Sequence, residues 1–555
     1  VAALSCHQYL SYLPIVPEKN EFLSKRDNFK IQKAEEYAGK FLKQMREEMP
    51  TLEAKERNNF NEVELGYKGE EIAIHEAQRC MECGCVAYFD CDLKRYATEY
   101  DAEQKLYEGD FRQYQVDFRH PYVEIDNNKC ILCSRCIRIC REVVGANALG
   151  LMNRGFETYV SPSMGNALQD TYCESCGLCI SACPTGAITE NVIFKPGPVQ
   201  LEKMETVCNY CSVGCEINIH HKNGFAMKVT GNKGKVNADG NLCKYPKFGY
   251  HYINDKNRVT KPLLKESGKF REISFDKAFE LIHNKIKSIK PDENAFFAGA
   301  RLSNEELYLV QKFARAGAKT NNIGTFHYLG RGSGYRHNTT ANSPFSQLIG
   351  ASRIYFIGSE INRDNAVAGF FASNASFLRD IPMELVTVHE TSAMEHKVSK
   401  TLRIKSYYHF IKAVNHCLLS KGLENQLFIK DNTSEFIQYK SKLLEEKFED
   451  LIQRSGAGSR EAVKKFAIDY NNELNAVIMF SEKEFSSNTC TEIFNLAMIT
   501  GKLGKTSNGI ISLKEKNNSQ GIFDMGVCSK LWVGGVPVNE SSLAERIKAK
   551  WGIKE

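Results

Sequence analysis

Eight cysteines between positions 130 and 183 constrain this chain more than any other feature. They lie in KCILCSRCIRIC and, after an intervening loop, in TYCESCGLCISACPTG. In each half two, two and three residues separate successive cysteines, and the second half closes on Pro184. This is the thiolate spacing of two [4Fe-4S] clusters. Three thiolates on one tight loop hold three irons of a cubane, while the fourth lies too far along the chain and ligates the other cluster. The first cluster is expected on Cys130, Cys133, Cys136 and Cys183, and the second on Cys173, Cys176, Cys179 and Cys140. Paired zinc knuckles are the rival reading. Two complete quartets and the Cys-Pro ending favour iron and sulfur.

The chain has 555 residues, 42% hydrophobic and 25% charged, enough for several globular domains. A net charge of +6 is small against 73 basic and 67 acidic side chains, so it gives no case for nucleic acid or an anionic membrane as partner. No apolar run approaches the span of a bilayer, and the opening VAALSCHQYL has no basic region or cleavage site of a secretory signal. A soluble cytoplasmic protein without membrane insertion is expected. The 20 cysteines cluster at metal-ligand spacing, which fits a reducing compartment better than disulfides do. Four quartets use 16 of them, leaving Cys6, Cys417, Cys490 and Cys528 as expected buried thiols.

The double array resembles a two-cluster ferredoxin, and the sequence around it extends the resemblance in both directions. VAALSCHQYLSYLP resembles the last helix of the small subunit of glutamate synthase and its relatives, which implies FAD and NAD(P) sites upstream of Val1. Residues 20 to 70, rich in Lys, Glu and Asn, are expected to form a solvated linker with one helix near Ile31 to Glu48. In EAQRCMECGCVAYFDC, Cys80, Cys83, Cys85 and Cys91 offer a further quartet. The segment resembles the stretch ahead of the double-cluster domain in the large iron-sulfur subunit of complex I and in iron hydrogenases. There one histidine and three cysteines hold a cluster; here Cys85 is expected to replace the histidine, with His75 nearby. Zinc is again the rival. Between Cys140 and Cys173 the alternation in FETYV suggests a strand pair, and Arg135, Arg138 and Arg141 are expected on a solvated basic face, where positive charge raises a cluster's potential.

A fourth quartet follows the Pro-rich KPGPVQ: Cys208, Cys211, Cys215 and Cys243, with a hairpin turning at Asn223-Gly224 between Glu216 and Thr230. His220 and His221 are expected to be solvated strand residues. This stretch resembles the N-terminal iron-sulfur domain of the molybdopterin oxidoreductases, and the resemblance continues from Arg258 towards the C-terminus. NAFFAGA, RIYFIGSE, MELVTVHE and NAVIMFSE alternate with helical patterns, implying βαβ units around parallel sheets. Ser303 and Glu306 form a capping box for NEELYLVQKFARAG, and Gly358 closes a strand where such a sheet receives nucleotide phosphates.

The resemblance implies a metal ligand shortly after TNNI, and that position falls near Leu329, which cannot coordinate; His327 is displaced from it. A lysine expected two residues after the last cysteine is Tyr245, with Lys244 and Lys247 adjacent. An aspartate that grips a guanine is His409, and an Asp-Pro after MELVTV is His389-Glu390. These departures imply a vestigial pterin-binding half, as in the large subunit of complex I.

The expectation is therefore an α/β multidomain chain. It comprises a flavin-module tail and linker (1–70), a four-cysteine iron-sulfur segment (71–114), a double [4Fe-4S] ferredoxin domain (115–198), a β-rich [4Fe-4S] domain (199–256) and a parallel-sheet molybdopterin-oxidoreductase-like domain (257–555). Its expected work is electron relay through four [4Fe-4S] clusters, in an NAD(P)H-linked oxidoreductase, towards a ferredoxin or another oxidoreductase subunit. No residue is assigned to catalysis. The alternatives are an active molybdenum or tungsten formate dehydrogenase and a zinc-bound structural or assembly protein.

Overall fold

The computed structural model describes residues 10–11, 44–79, 85–87, 90–102, 109–110, 112–192, 199–326, 342–358 and 360–552. The chain forms two compact units: Val1–Cys133 with Asn153–Val160 and Cys183–Gln200, and Ser134–Met152 with Ser161–Ala182 and Leu201–Glu555.

In the first unit, short helices span Glu70–Ala77 and Asp92–Glu99. Strands Val123–Ile125 and Ile188–Glu190 pair antiparallel, with Val123 opposite Glu190. The expected linker helix lies outside the described residues over 31–43, and residues 44–48 are not helical. Nor is this stretch a free arm. Gln44 Nε2 donates to the His75 carbonyl at 2.7 Å, and the Glu47 amide donates to Glu76 Oε2 at 2.8 Å, tying it to the first helix.

The second unit begins with α1 (Arg135–Ile139), which widens into one broad turn where the Gly145 amide reaches back to the Cys140 carbonyl. Such widened turns recur at functional sites. Within FETYV, whose residues up to Val160 belong to the first unit, only the end is extended: residues 155–157 form a tight turn, and the strand is Tyr159–Ser161. α2 (Leu178–Ala182) follows the second cysteine loop. Strands β1 (Glu202–Val207), β2 (Glu216–Lys222) and β3 (Phe225–Gly231) form an antiparallel sheet. The β2–β3 turn places Asn223 and Gly224 at φ 50° and 80°, the left-handed pair that matches the twist of two-residue hairpins. α3 (Lys244–Phe248) starts directly after Cys243. In α4 (Asn304–Lys312), both halves of the Ser303–Glu306 capping box are present.

A five-stranded parallel sheet organises the remainder. Its strands are β4 (Arg353–Ile357), β5 (Met383–Thr387), β6 (Lys400–Arg403), β7 (Ala476–Ser481) and β8 (Gly509–Leu513), in the order β6-β5-β4-β7-β8. Parallel sheets are covered on both faces, which is why β5, β7 and β8 are buried along their whole length. Helices α5 (Ala366–Arg379), α6 (Tyr407–Ser420) and α7 (Ser487–Ile499) accompany the strands. The Tyr355 ring meets Phe466 and Tyr470 edge-on, each at 5.4 Å, at the centre of the core. Cys417 and Cys490 are buried in this core and Cys528 is half-buried at its edge. The chain enters the sheet at β4, builds outward to β6, then crosses to β7 and β8. The direction therefore switches between β4 and β7, the place where such sheets bind ligands beyond their C-terminal strand ends. Among the described residues, no helix is long and apolar enough to cross a membrane.

Candidate iron-sulfur centres

The two cysteine loops are conformational twins. Leu132 and Ser134 in the first have φ of 55° and 60°, and Ser175 and Gly177 at the matching positions of the second have 54° and 70°. Left-handed backbone costs a non-glycine residue about 1–2 kcal/mol and is rare for leucine. Alternating handedness turns successive amides towards one concavity, a shape that suits anions and iron-sulfur clusters. The Leu132 amide donates to Cys130 Sγ and the Ser175 amide to Cys173 Sγ, each at 3.4 Å. The Ala148 amide donates to Cys140 Sγ at 3.4 Å. These donors favour thiolate over thiol.

Burial acts in the opposite sense. It pushes the Cys173 thiol up to about 11 and Cys176 to about 12, and Cys179 rises well above its ordinary value. Beyond burial, Cys179 is raised by Cys176, Cys173, Cys140 and Cys136, so these thiols lie near one another. In the fourth quartet burial pushes Cys208 up to about 11 and raises Cys211, Cys215 and Cys243, with mutual thiolate repulsion adding to Cys215 and Cys243. Cys130 is raised by burial and then by Cys183 and Cys133, which the first unit brings beside it; Cys136 belongs to the second unit. Four thiols in a dry site that offers amide donors cannot all ionise without positive charge among them. That is the electrostatic demand an iron-sulfur cluster meets. Among the described residues, no group of three or more His, Cys, Asp or Glu is gathered tightly enough for a single metal ion.

Cys80 and Cys83 lie outside the described residues. Cys91 Sγ accepts the Lys94 amide at 3.4 Å, and Cys85 packs on Gly186, where an added Cβ would stand 2.8 Å from its sulfur. His75 is taken up by Glu47 at 2.5 Å. Arg135, Arg138 and Arg141 are all exposed, as expected of a solvated basic face; Arg138 pairs with Glu142 at 2.9 Å and Arg141 lies 5.7 Å from the Phe377 ring. His220 and His221 are half-buried rather than solvated, and His220 Nε2 bonds Thr230 Oγ1 at 2.8 Å.

Sequence reasoning noted Lys247 only as a neighbour of Tyr245 and missed the pair Glu174 and Lys397. Lys247, four residues past Cys243, is buried and donates to Ser181 Oγ at 2.6 Å. It crosses Gly177, where a Cβ would meet its Cδ at 2.7 Å. Glu174, inside the second cysteine loop, is ion-paired with Lys397 in a contact where the two side chains are 9% and 1% exposed. A charged residue inside an apolar cysteine loop was the available signal, but its partner lies 223 residues away.

At the C-terminal ends of β4 and β7, Gly358 has φ 98° and faces a carboxylate from the same chain. Glu484 Oε1 accepts the Glu360 amide at 2.9 Å, and Glu484 Oε2 accepts the Tyr407 hydroxyl at 3.3 Å. A Cβ on Gly358 would lie 3.0 Å from that Oε2. The cations at this edge also have acidic partners: Arg363 with Glu360 at 2.9 Å, Lys483 with Asp364 at 2.8 Å, and buried Lys514 with Glu482. A cofactor carrying phosphates finds a carboxylate on the amide it would use and no uncommitted cation among these three, so the residues here do not fit it. Of the departures, Tyr245 stacks on Tyr210 at 5.5 Å, His409 bonds its own helix cap Ser406 at 2.9 Å, and exposed His389 stands 4.0 Å from Glu484. His327 and Leu329 lie outside the described residues.

Three family descriptions match consecutive parts of the chain. The "NADH-quinone oxidoreductase subunit 3, ferredoxin-like domain" matches residues 120–189, the "Molybdopterin oxidoreductase Fe4S4 domain" residues 201–255, and "Molybdopterin oxidoreductase" residues 258–546. Among relatives, the NADPH-Fe(3+) oxidoreductase subunit alpha of Geobacter sulfurreducens is 28% identical over 80% of this chain and 53% of its own length. The probable oxidoreductase YjgC of Bacillus subtilis is 24% identical over 83% of this chain and 52% of its own. The F420-dependent formate dehydrogenase 2 subunit alpha of Methanococcus maripaludis is 29% identical over 63% and 53%. The chain spans about half the length of the curated relatives it matches. With one family covering more than half of its residues, and iron-sulfur and ferredoxin-like domains preceding that match, this chain is an oxidoreductase of the molybdopterin oxidoreductase family.

Proposed function

We propose that this chain is the electron-relay part of an NAD(P)H-linked oxidoreductase, and that its parallel-sheet domain works without molybdenum. Four [4Fe-4S] clusters would occupy the four quartets of the three iron-sulfur segments, within the boundaries expected from the sequence. The observation that carries the reading is Glu484 seated against the Gly358 turn, where a phosphate-bearing cofactor would need the same amide. Bound clusters would supply one-electron carriers. The chain's own residues do the rest: thiols ligate, loop amides donate to sulfur, and burial excludes water, which together tune potentials. The name of the Geobacter relative supports NADPH as the distal electron source; a flavin module would pass those electrons to the clusters. The acceptor would be a ferredoxin or another oxidoreductase subunit, in a reducing cytoplasm.

The formate dehydrogenase relatives favour a second reading, a molybdenum or tungsten enzyme acting on formate. Anaerobically purified protein separates the two. Dithionite should develop paramagnetic cluster signals and formate should not; formate-dependent reduction accompanied by bound molybdenum or tungsten would overturn the proposal. A colourless zinc protein with no reducible signal would overturn both.

A further inference from the structure

The buried pair Glu174–Lys397 joins the second cysteine loop to the parallel-sheet domain. Glu174 stands between Cys173 and Ser175, one of the residues that turns the loop left-handed. The region around Lys397 grips the Cys140 segment from the other side. Asn374 Nδ2 donates to the Glu142 carbonyl at 3.1 Å. A Cβ on Gly145 would stand 3.3 Å from Ser373 Oγ and 3.6 Å from Lys397 Cδ, and Tyr172 stacks on His396 at 4.2 Å. The neighbourhood of Cys140 and Cys173 is thus closed over by residues 373–397 of the molybdopterin-family domain.

A buried ion pair adds little net stability, because desolvation offsets the attraction, so stability alone does not account for one at this place. A pair shielded from water also escapes salt screening and acts on charge nearby with little loss. We propose that Glu174 and Lys397 set the reduction potential of the cluster held by Cys140, Cys173, Cys176 and Cys179: Glu174 lowers it, Lys397 raises it, and the sheet domain serves this cluster as an electrostatic cover. The inference rests on the iron-sulfur reading above. Lys397 and Glu174 act here as tuning and positioning residues, with no contact to a substrate.

The test is a potentiometric titration of the anaerobically purified chain, following each cluster by electron paramagnetic resonance. Lys397→Gln should shift one midpoint down and Glu174→Gln should shift the same midpoint up. Each shift should change the reduced-to-oxidised ratio at a fixed poise at least tenfold, about 59 mV for one electron. The double variant should fall between them, and Lys397→Arg should restore the wild-type value. Shifts of the same sign, or no shift in either single variant, would overturn the proposal. Each single variant leaves its partner buried and unpaired; if one of them loses the cluster for that reason, the sign of the midpoint shift in the other still decides the question. Wild-type protein without any cluster signal would sink the iron-sulfur reading itself, whereas intact signals with unmoved midpoints sink only this inference.

Discussion

Gly177 carries two demands that no other residue type meets together. Its φ is 70°, and a Cβ would come within 2.7 Å of both Lys247 Cδ and Phe248 Cζ. Gly177→Ala should therefore cost about 1–3 kcal/mol through strain and displaced packing. Iron analysis should show the variant losing about four irons per chain if the loop no longer closes on its cluster. Arg315 shows a different economy. Buried without a carboxylate partner among the described residues, it donates to the carbonyls of Gly526, Cys528 and Leu531 at 3.2, 2.9 and 2.9 Å and lies 4.5 Å from the Trp532 ring. Removing it as Arg315→Met leaves these three carbonyls, and with them Gln311 Oε1 and Asn321 Oδ1, without this donor and should destabilise the chain by about 3 kcal/mol, measured by denaturant unfolding. Lys502 gives a pH signature. Burial depresses its ammonium to about 8, below the ordinary lysine range, so between about pH 8 and 10.5 the unfolded state binds more protons. Its burden on stability is complete below that window and relieved as pH rises through it. The stability of wild type relative to Lys502→Met should rise with pH over that interval, and a flat difference would refute the assignment.

At the scale of elements, the strands and caps were the legible part. The apolar runs RIYFI, MELVT and AVIMFS are strands β4, β5 and β7, because a parallel strand buried on both faces needs an unbroken apolar sequence. The Ser303 capping box announced α4, and Ser303→Ala should cost about 1 kcal/mol in thermal or denaturant unfolding. GIISL was not recognised as the edge strand β8; the two strands expected between Cys140 and Cys173 are Gly150–Met152 and Tyr159–Ser161, although only the end of FETYV is strand because residues 155–157 turn first. The order β6-β5-β4-β7-β8 depends on the crossover between β6 and β7, which contains no local signal. For the same reason Glu484 and Lys397 were invisible. Each is an ordinary charged residue whose meaning comes from a partner more than a hundred positions away, Glu360 for one and Glu174 for the other.

At the scale of the molecule, a chain of the molybdopterin oxidoreductase family carries iron-sulfur domains ahead of a parallel sheet whose ligand edge is filled by its own ion pairs. In the proposed account such a sheet covers and tunes a cluster rather than holding a phosphate-bearing cofactor. The proposed account thus treats the segment from Cys130 to Pro184 as the middle of an electron path, with a cysteine quartet on either side in sequence. Combined iron and molybdenum analysis of the anaerobically purified chain tests this most directly. The account predicts about sixteen irons per chain, four for each of four cubanes, and no molybdenum. Iron near four or absent, or stoichiometric molybdenum, would contradict it.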